Sequence, residues 1–200
     1  MLSIILPSFN EPRKYETLRL CKELFPTAQI IISPDNAGRG KGWSIQKGVL
    51  ASLHDTIVMI DADGDIHPRM LKRMLPFLED YDIVVGSKAI GPLKLHRKLI
   101  TLASRMYIKL MFNLDVDTQT GIKVFKKSAI LPFITKDFAF DIELLAMANR
   151  YGLKMIEIPI VANIQKSKGV NVLWVTLISS LKIWFRLLFR REQTKTYLDL

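Results

Sequence analysis

Three aspartates at alternate positions, Asp61, Asp63 and Asp65, follow the apolar run Ile57-Val58-Met59-Ile60, with Gly64 between the last two. Their carboxylates repel one another and need a counterion. Hard oxygen ligands suit Mg2+ or Mn2+, ions that keep open positions for substrate phosphates rather than sitting in an all-protein cage. Taken alone, the same residues read equally as an aspartate-rich turn capping a helix that starts near Pro68. A second segment, Asp35-Asn36-Ala37-Gly38-Arg39-Gly40-Lys41-Gly42, resembles a phosphate cradle, because glycines expose backbone amides and a following helix start favours an anion. It is not a Walker loop, since Gly42 follows Lys41, and a dinucleotide fingerprint needs glycine where Trp43 stands. A flexible basic loop is the alternative.

Both segments need strand ends and helix starts to hold them. Strand-length apolar runs, most of them rich in isoleucine and valine, recur at residues 3–6, 29–33, 56–60, 82–85 and 155–161. Helix-length segments with mixed faces fall between them at 14–24, 42–53, 68–78 and 140–151. Alternation of this kind predicts an α/β fold with a mostly parallel central sheet covered on both faces. Ligands then bind beyond the carboxyl ends of the strands. The polar clusters stand there: Pro7-Ser8-Phe9-Asn10-Glu11 after the first strand, residues 35–42 after the second, 61–68 after the third and Gly86-Ser87-Lys88 after the fourth.

The chain has 200 residues, enough for one domain with a full core, and a formal charge of +10 that suits an anionic partner without choosing it. A lone cysteine, Cys21, excludes an intramolecular disulfide and fits a small buried hydrophobe in a reducing compartment. The opening residues lack a basic leader with a long apolar core, so the expected location is the cytoplasm. A nucleic-acid reader would show a basic groove or aromatics interleaved with charge, and neither stands out, so no nucleic acid is expected.

Two segments break the alternation. From Arg97, positions Thr101, Arg105 and Lys109 form a polar, mainly basic stripe among Leu99, Ile100, Leu102, Met106, Ile108 and Leu110. Residues 172–191 put Trp174, Leu177, Ile178, Leu181, Trp184, Phe185 and Leu188 on one side, with Ser179, Ser180, Arg186 and Arg190 largely opposite. Lys182 interrupts the roughly 20 apolar residues that a membrane span needs, so both segments read as helices lying in a membrane interface. Core packing or dimerisation is the alternative. The expected division is a globular domain over 1–171 and an amphipathic basic helix and tail over 172–200, peripheral at the cytoplasmic face.

Taken in order, the motifs carry a resemblance. Residues 4–11, 36–42, Asp61-Ala62-Asp63-Gly64, Val85-Gly86-Ser87-Lys88, 117–125, Phe140-Asp141-Ile142-Glu143-Leu144-Leu145 and Glu157-Ile158-Pro159-Ile160 resemble family 2 glycosyltransferases. The likeness is strongest to those that transfer a sugar to dolichyl or another polyprenyl phosphate. It implies a GT-A fold and an inverting transfer from a GDP- or UDP-hexose. Pro7, Phe9, Asn10, Glu11, Asp35, Lys41, Asp61 and Ala62 would serve the donor, and Asp61, Asp63 and Asp65 the metal. Asp63, Asp141 and Glu143 would be catalytic, and Lys88 and Arg97 would bind the acceptor phosphate. Relatives commonly have two aspartates after the second strand that help read the base; here only Asp35 could do so. A saccharide hydroxyl acceptor, needing Asp141 or Glu143 as base, and a non-catalytic basic binding module are the other readings.

Overall fold

β-branched runs become strands where both faces can be covered. In the computed structural model, which describes residues 1–35, 38–88, 95–162 and 170–189, the side chains of 88, 95–101 and 170–175 apart, six strands form one sheet. They are β1 (Leu2–Ser8), β2 (Gln29–Pro34), β3 (Thr56–Ile60), β4 (Ile83–Lys88), β5 (Ile122–Lys126) and β6 (Met155–Ile160), in the order β2-β1-β3-β5-β4-β6. All pairs are parallel except those of β5, which runs antiparallel to β3 and to β4. The mostly parallel sheet is as expected, but β5 is an addition, because Lys123 breaks up its apolar run. Ile60 pairs with Ile122 and Met59 with Lys123, so β5 delivers its first residues beside the aspartate turn.

Among the described residues the α-helices are α1 (Lys14–Leu24), α2 (Lys41–Leu50), α3 (Leu71–Met74), α4 (Leu95–Phe112), α5 (Phe140–Arg150) and α6 (Val170–Phe189). The single helix expected over 68–78 is instead the short α3 between 3-10 turns at Pro68–Met70 and Leu75–Glu79. Pro76 explains the break, since it lacks the amide a helix needs and its ring crowds the preceding turn. Alternate residues of a strand face opposite ways, so Ile5, Ile57 and Met59 join α2, α4 and α5 in one apolar cluster, while Ile4, Leu6, Val58 and Ile60 join α1 and α3 in the other. Each such side chain contributes about 1.5–3 kcal/mol on burial. Cys21 sits in the second cluster, where burial pushes its thiol up to about 12, so it behaves as a hydrophobe.

The helix α6 lies on the domain through polar residues and through Ile183, which is buried in the core with Trp184 and Leu187 packed beside it, so Trp184 does not stay on the exposed apolar side as expected. Ser180 Oγ meets Tyr107 Oη of α4 at 2.9 Å, Ser179 Oγ donates to Asp137 at 2.8 Å, and Arg186 donates to Glu143 of α5 at 3.1 Å. Among the described residues no helix is long and apolar enough to cross a membrane.

Candidate active site

The aspartate turn begins where β3 ends. The Asp61 amide donates to the Gly121 carbonyl at 2.8 Å, extending the β3–β5 ladder by one step. The Asp61 carboxylate lies directly over Gly121, where any Cβ would collide with it; glycine is required here by contact, not by backbone conformation. Gly64 turns the chain with φ +71°, a region that costs glycine nothing. Ala62 is buried and its carbonyl accepts from Thr17 Oγ1 at 3.1 Å, pinning the turn to α1.

Lys41 opens α2, the positive end of that helix, where a cation is unfavourable unless an anion answers it. Asp61 does so, with Nζ to Oδ1 at 2.5 Å. Burial works against the Lys41 charge, but Asp61, Asp141 and Asp63 outweigh it and hold the ammonium above its ordinary value. The lysine is placed there by close packing: the Gly42 amide donates to the Lys136 carbonyl at 2.8 Å, and a Cβ on Gly40 or Gly42 would strike the backbone of Thr135 and Lys136.

Together Pro7, Lys41, Asp61, Thr120, Gly121, Lys123, Phe140 and Asp141 line one cleft at the carboxyl end of β3. On its floor Lys123 is buried, pairs with Asp141 at 2.9 Å and donates to the Thr120 carbonyl at 2.6 Å. Sequence reasoning assigned no role to Thr120, Gly121 or Lys123. The available signal was an ionisable residue inside the strand-like run Ile122-Lys123-Val124-Phe125.

The structure separates several residues that the sequence reading grouped. Glu143 does not join Asp141. Its carboxylate accepts from the amides of Ile134 at 3.1 Å and Thr135 at 2.7 Å and from Arg186, a fully buried structural role. Positions two apart on a helix face different ways, so only Asp141 reaches the cleft. Asp35 accepts from the amides of Arg39 at 2.7 Å and Gly40 at 2.5 Å, which shapes the glycine loop. Nor do the three aspartates converge. Among the described residues no three His, Cys, Asp or Glu side chains form a ready metal cluster, and Asp65 is drawn to Arg13 at 3.5 Å. Asp63 accepts from the Asp65 amide at 3.1 Å; burial, then Asp61 and Asp65, raise its carboxyl above the usual range.

Of the other expected donor residues, Pro7 lines the cleft, Phe9 is exposed, Asn10 adopts φ 45°, and Glu11 binds Arg13. Asparagine tolerates that left-handed conformation better than most residues. Lys88 ends β4 and Arg97 lies in α4, but both side chains fall outside the described residues, as do Asn36 and Ala37.

Residues 10–138, more than half of the chain, match Glycosyl transferase family 2. The chain belongs to that family. This glycosyltransferase is 27% identical over 132 residues to an undecaprenyl-phosphate mannosyltransferase of Micrococcus luteus, covering 60% of this chain and 52% of that protein. It is 29% identical over 146 residues to a human dolichyl-phosphate β-glucosyltransferase, covering 61% of this chain and 43% of that one. The chain thus spans about half the length of these two relatives. Its fold is GT-A. It matches the Mycobacterium tuberculosis glucosyl-3-phosphoglycerate synthase crystallised with Mn2+, UDP-glucose and phosphoglyceric acid, with a TM-score of 0.73 at 16% identity over 92% of this chain and 80% of that one.

Proposed function

We propose that this glycosyltransferase moves a hexose, mannose or glucose, from a GDP- or UDP-linked donor to a polyprenyl phosphate at a membrane surface, with inversion and with a divalent ion. The observation that carries the reading is the pairing of Lys41, at a helix start, with Asp61 on the aspartate turn, at 2.5 Å. Such a site offers both signs of charge to a diphosphate. Its donor set fits a single Mg2+ or Mn2+: Asp61 and Asp63 lie near enough for the Asp61 charge to raise the Asp63 carboxyl, and such ions take one or two carboxylates plus substrate phosphates. When bound, that ion neutralises the charge that develops on the departing diphosphate.

The chain's own groups supply the rest. Lys41 leaves Asp61 for the diphosphate, placing a cation and the start of α2 against the leaving group. An acceptor phosphate is already ionised at neutral pH and needs no strong base. Lys88 and Arg97 are the proposed cations that receive it.

Membrane attachment is supported by the apolar residues that α6 leaves exposed after Ile183, Trp184 and Leu187 have packed on the core. Ser179, Ser180 and Arg186, its polar side, bind the domain, while Leu177, Ile178, Leu181, Phe185 and Leu188 are exposed. Leu102, Met106 and Leu110 of α4 are also exposed, at four-residue spacing. In α4 the expected basic stripe is largely spent on the domain, since Arg105 pairs with Glu157 at 2.7 Å and Lys109 with Asp115 at 2.6 Å. Apolar burial in the interface is therefore the main proposed attachment.

A thermal-shift screen of GDP- and UDP-hexoses, with and without Mn2+, tests the donor. One nucleotide sugar is expected to raise the melting temperature only with the metal, and transfer to polyprenyl phosphate in vesicles is expected to stop with EDTA. No shift with any nucleotide sugar would remove the donor site. Transfer to a saccharide, undiminished without lipid phosphate, would reassign the acceptor to a hydroxyl with Asp141 as its base.

A further inference from the structure

The interior of a central strand calls for an apolar residue, yet β5 carries Lys123 there, 2% exposed. A buried ion pair is a weak source of stability, and apolar residues of similar volume often replace one without loss. The pair of Lys123 with Asp141 therefore asks for another reason. A second oddity adjoins it. Thr120 is 1% exposed, and its hydroxyl makes no hydrogen bond among the described residues, although the Thr120 carbonyl accepts from Lys123. Both features line the cleft that holds Lys41 and Asp61, and the next residue, Gly121, lies under the Asp61 carboxylate.

The chemistry of this floor selects a ligand class. Lys123 and Asp141 neutralise each other and are more deeply buried than Lys41 and Asp61, so this pair leaves little net charge to draw a phosphate or a divalent ion. A neutral polyol suits the floor, because each of its hydroxyls can donate to a carboxylate oxygen and accept from an unpaired O–H. Lys123 engages Asp141 through Oδ1, which leaves Oδ2 for such a hydroxyl.

We infer that Thr120 is a specificity residue that hydrogen-bonds a hydroxyl of the donor's hexosyl group, with Asp141 beside it and Lys123 as the positioning residue that fixes both. The inference rests on the donor site proposed above, since the Lys41–Asp61 pair lines the same cleft and must part to admit the sugar. Diphosphate binding, by drawing Lys41 away, provides that opening.

Isothermal titration of the full chain in Mn2+ with UDP, GDP, UDP-glucose and GDP-mannose tests it, comparing the wild type with Thr120→Val and Thr120→Ser. Valine is expected to leave nucleoside diphosphate affinity within about twofold and to weaken the nucleotide hexose about tenfold, the worth of one hydrogen bond, while serine retains both. The valine variant should melt at or above the wild-type temperature, because its lost hydroxyl had no partner. A donor lacking the hydroxyl that Thr120 reads should bind wild type and valine variant equally. Unchanged nucleotide-hexose binding by the valine variant would overturn the inference, as would an equal loss for the bare diphosphate, which would mark a structural role. A wild-type chain that binds neither diphosphate nor nucleotide hexose would instead overturn the donor site, and this inference with it.

Discussion

The first turn of α5 carries two buried carboxylates that face different regions of the molecule. On one side Asp141 meets Lys123 on the floor of the cleft. On the other, Glu143 accepts from two backbone amides of the 134–135 segment and from Arg186 of α6. Both are buried, both are charged and both are paired, so neither burial nor charge separates a ligand site from a brace. Their partners do. Glu143 is surrounded by groups that hold one part of the chain to another, whereas Asp141 shares its cleft with a second ion pair, Lys41–Asp61, and with a hydroxyl that lacks a partner among the described residues.

The comparison breaks first at Lys123. Replacement by methionine strands Asp141 in the interior, which costs about 3–5 kcal/mol in urea unfolding. The double variant Lys123→Met with Asp141→Leu should regain most of that stability while transfer stays lost, as expected of a pair kept for the ligand. Recovery of transfer in the double variant would make the pair structural, like Glu143.

Next in size come the two carboxylates themselves. Asp141→Asn is expected to lower kcat/KM about 100-fold, or about 2.7 kcal/mol, and also to lower the melting temperature, because the buried Lys123 ammonium then faces a neutral amide. Glu143→Gln should keep kcat/KM within about threefold while losing about 1–2 kcal/mol of stability, because its amide answers Arg186 poorly. Activity falling with Glu143 and holding with Asp141 would exchange their roles.

Much of this was legible in the residues. Isoleucine and valine runs marked five of the six strands, and residue type alone marked the aspartate turn and the glycine loop. What was hidden depends on contacts between distant segments. β5 escaped notice because Lys123 looks like a loop residue until Asp141, eighteen positions later, is set against it. The helix expected at 68–78 yielded to Pro76, a local signal outweighed by the apolar pattern around it. Asp35 was read as a base contact, and its bonds to two amides of its own loop depend on a backbone path that residue type alone does not reveal. The two faces of α6 were visible as a pattern, yet nothing in that pattern said that the polar face would turn inward toward Glu143, Asp137 and Tyr107.

The smallest effect concerns the charge balance of the aspartate turn beside the cleft. Burial, reinforced by Asp61 and Asp65, raises the Asp63 carboxyl above its ordinary 3.8. A carboxyl so raised keeps its proton to higher pH in the folded chain than in the unfolded one, so ionising it costs stability. The cost is absent below the ordinary value and accrues as pH climbs through the raised one. Asp63→Asn should therefore melt about 2 °C above the wild type near pH 7, with the difference closing in acid. Adding Mn2+ with the nucleoside diphosphate should reverse the order, because only the wild type gains the ligand's stabilisation. Scanning fluorimetry from acid to neutral pH, with and without the ligands, reads both crossings. A variant that melts below the wild type near pH 7 without ligand would show that the Asp63 charge is already compensated in the folded chain.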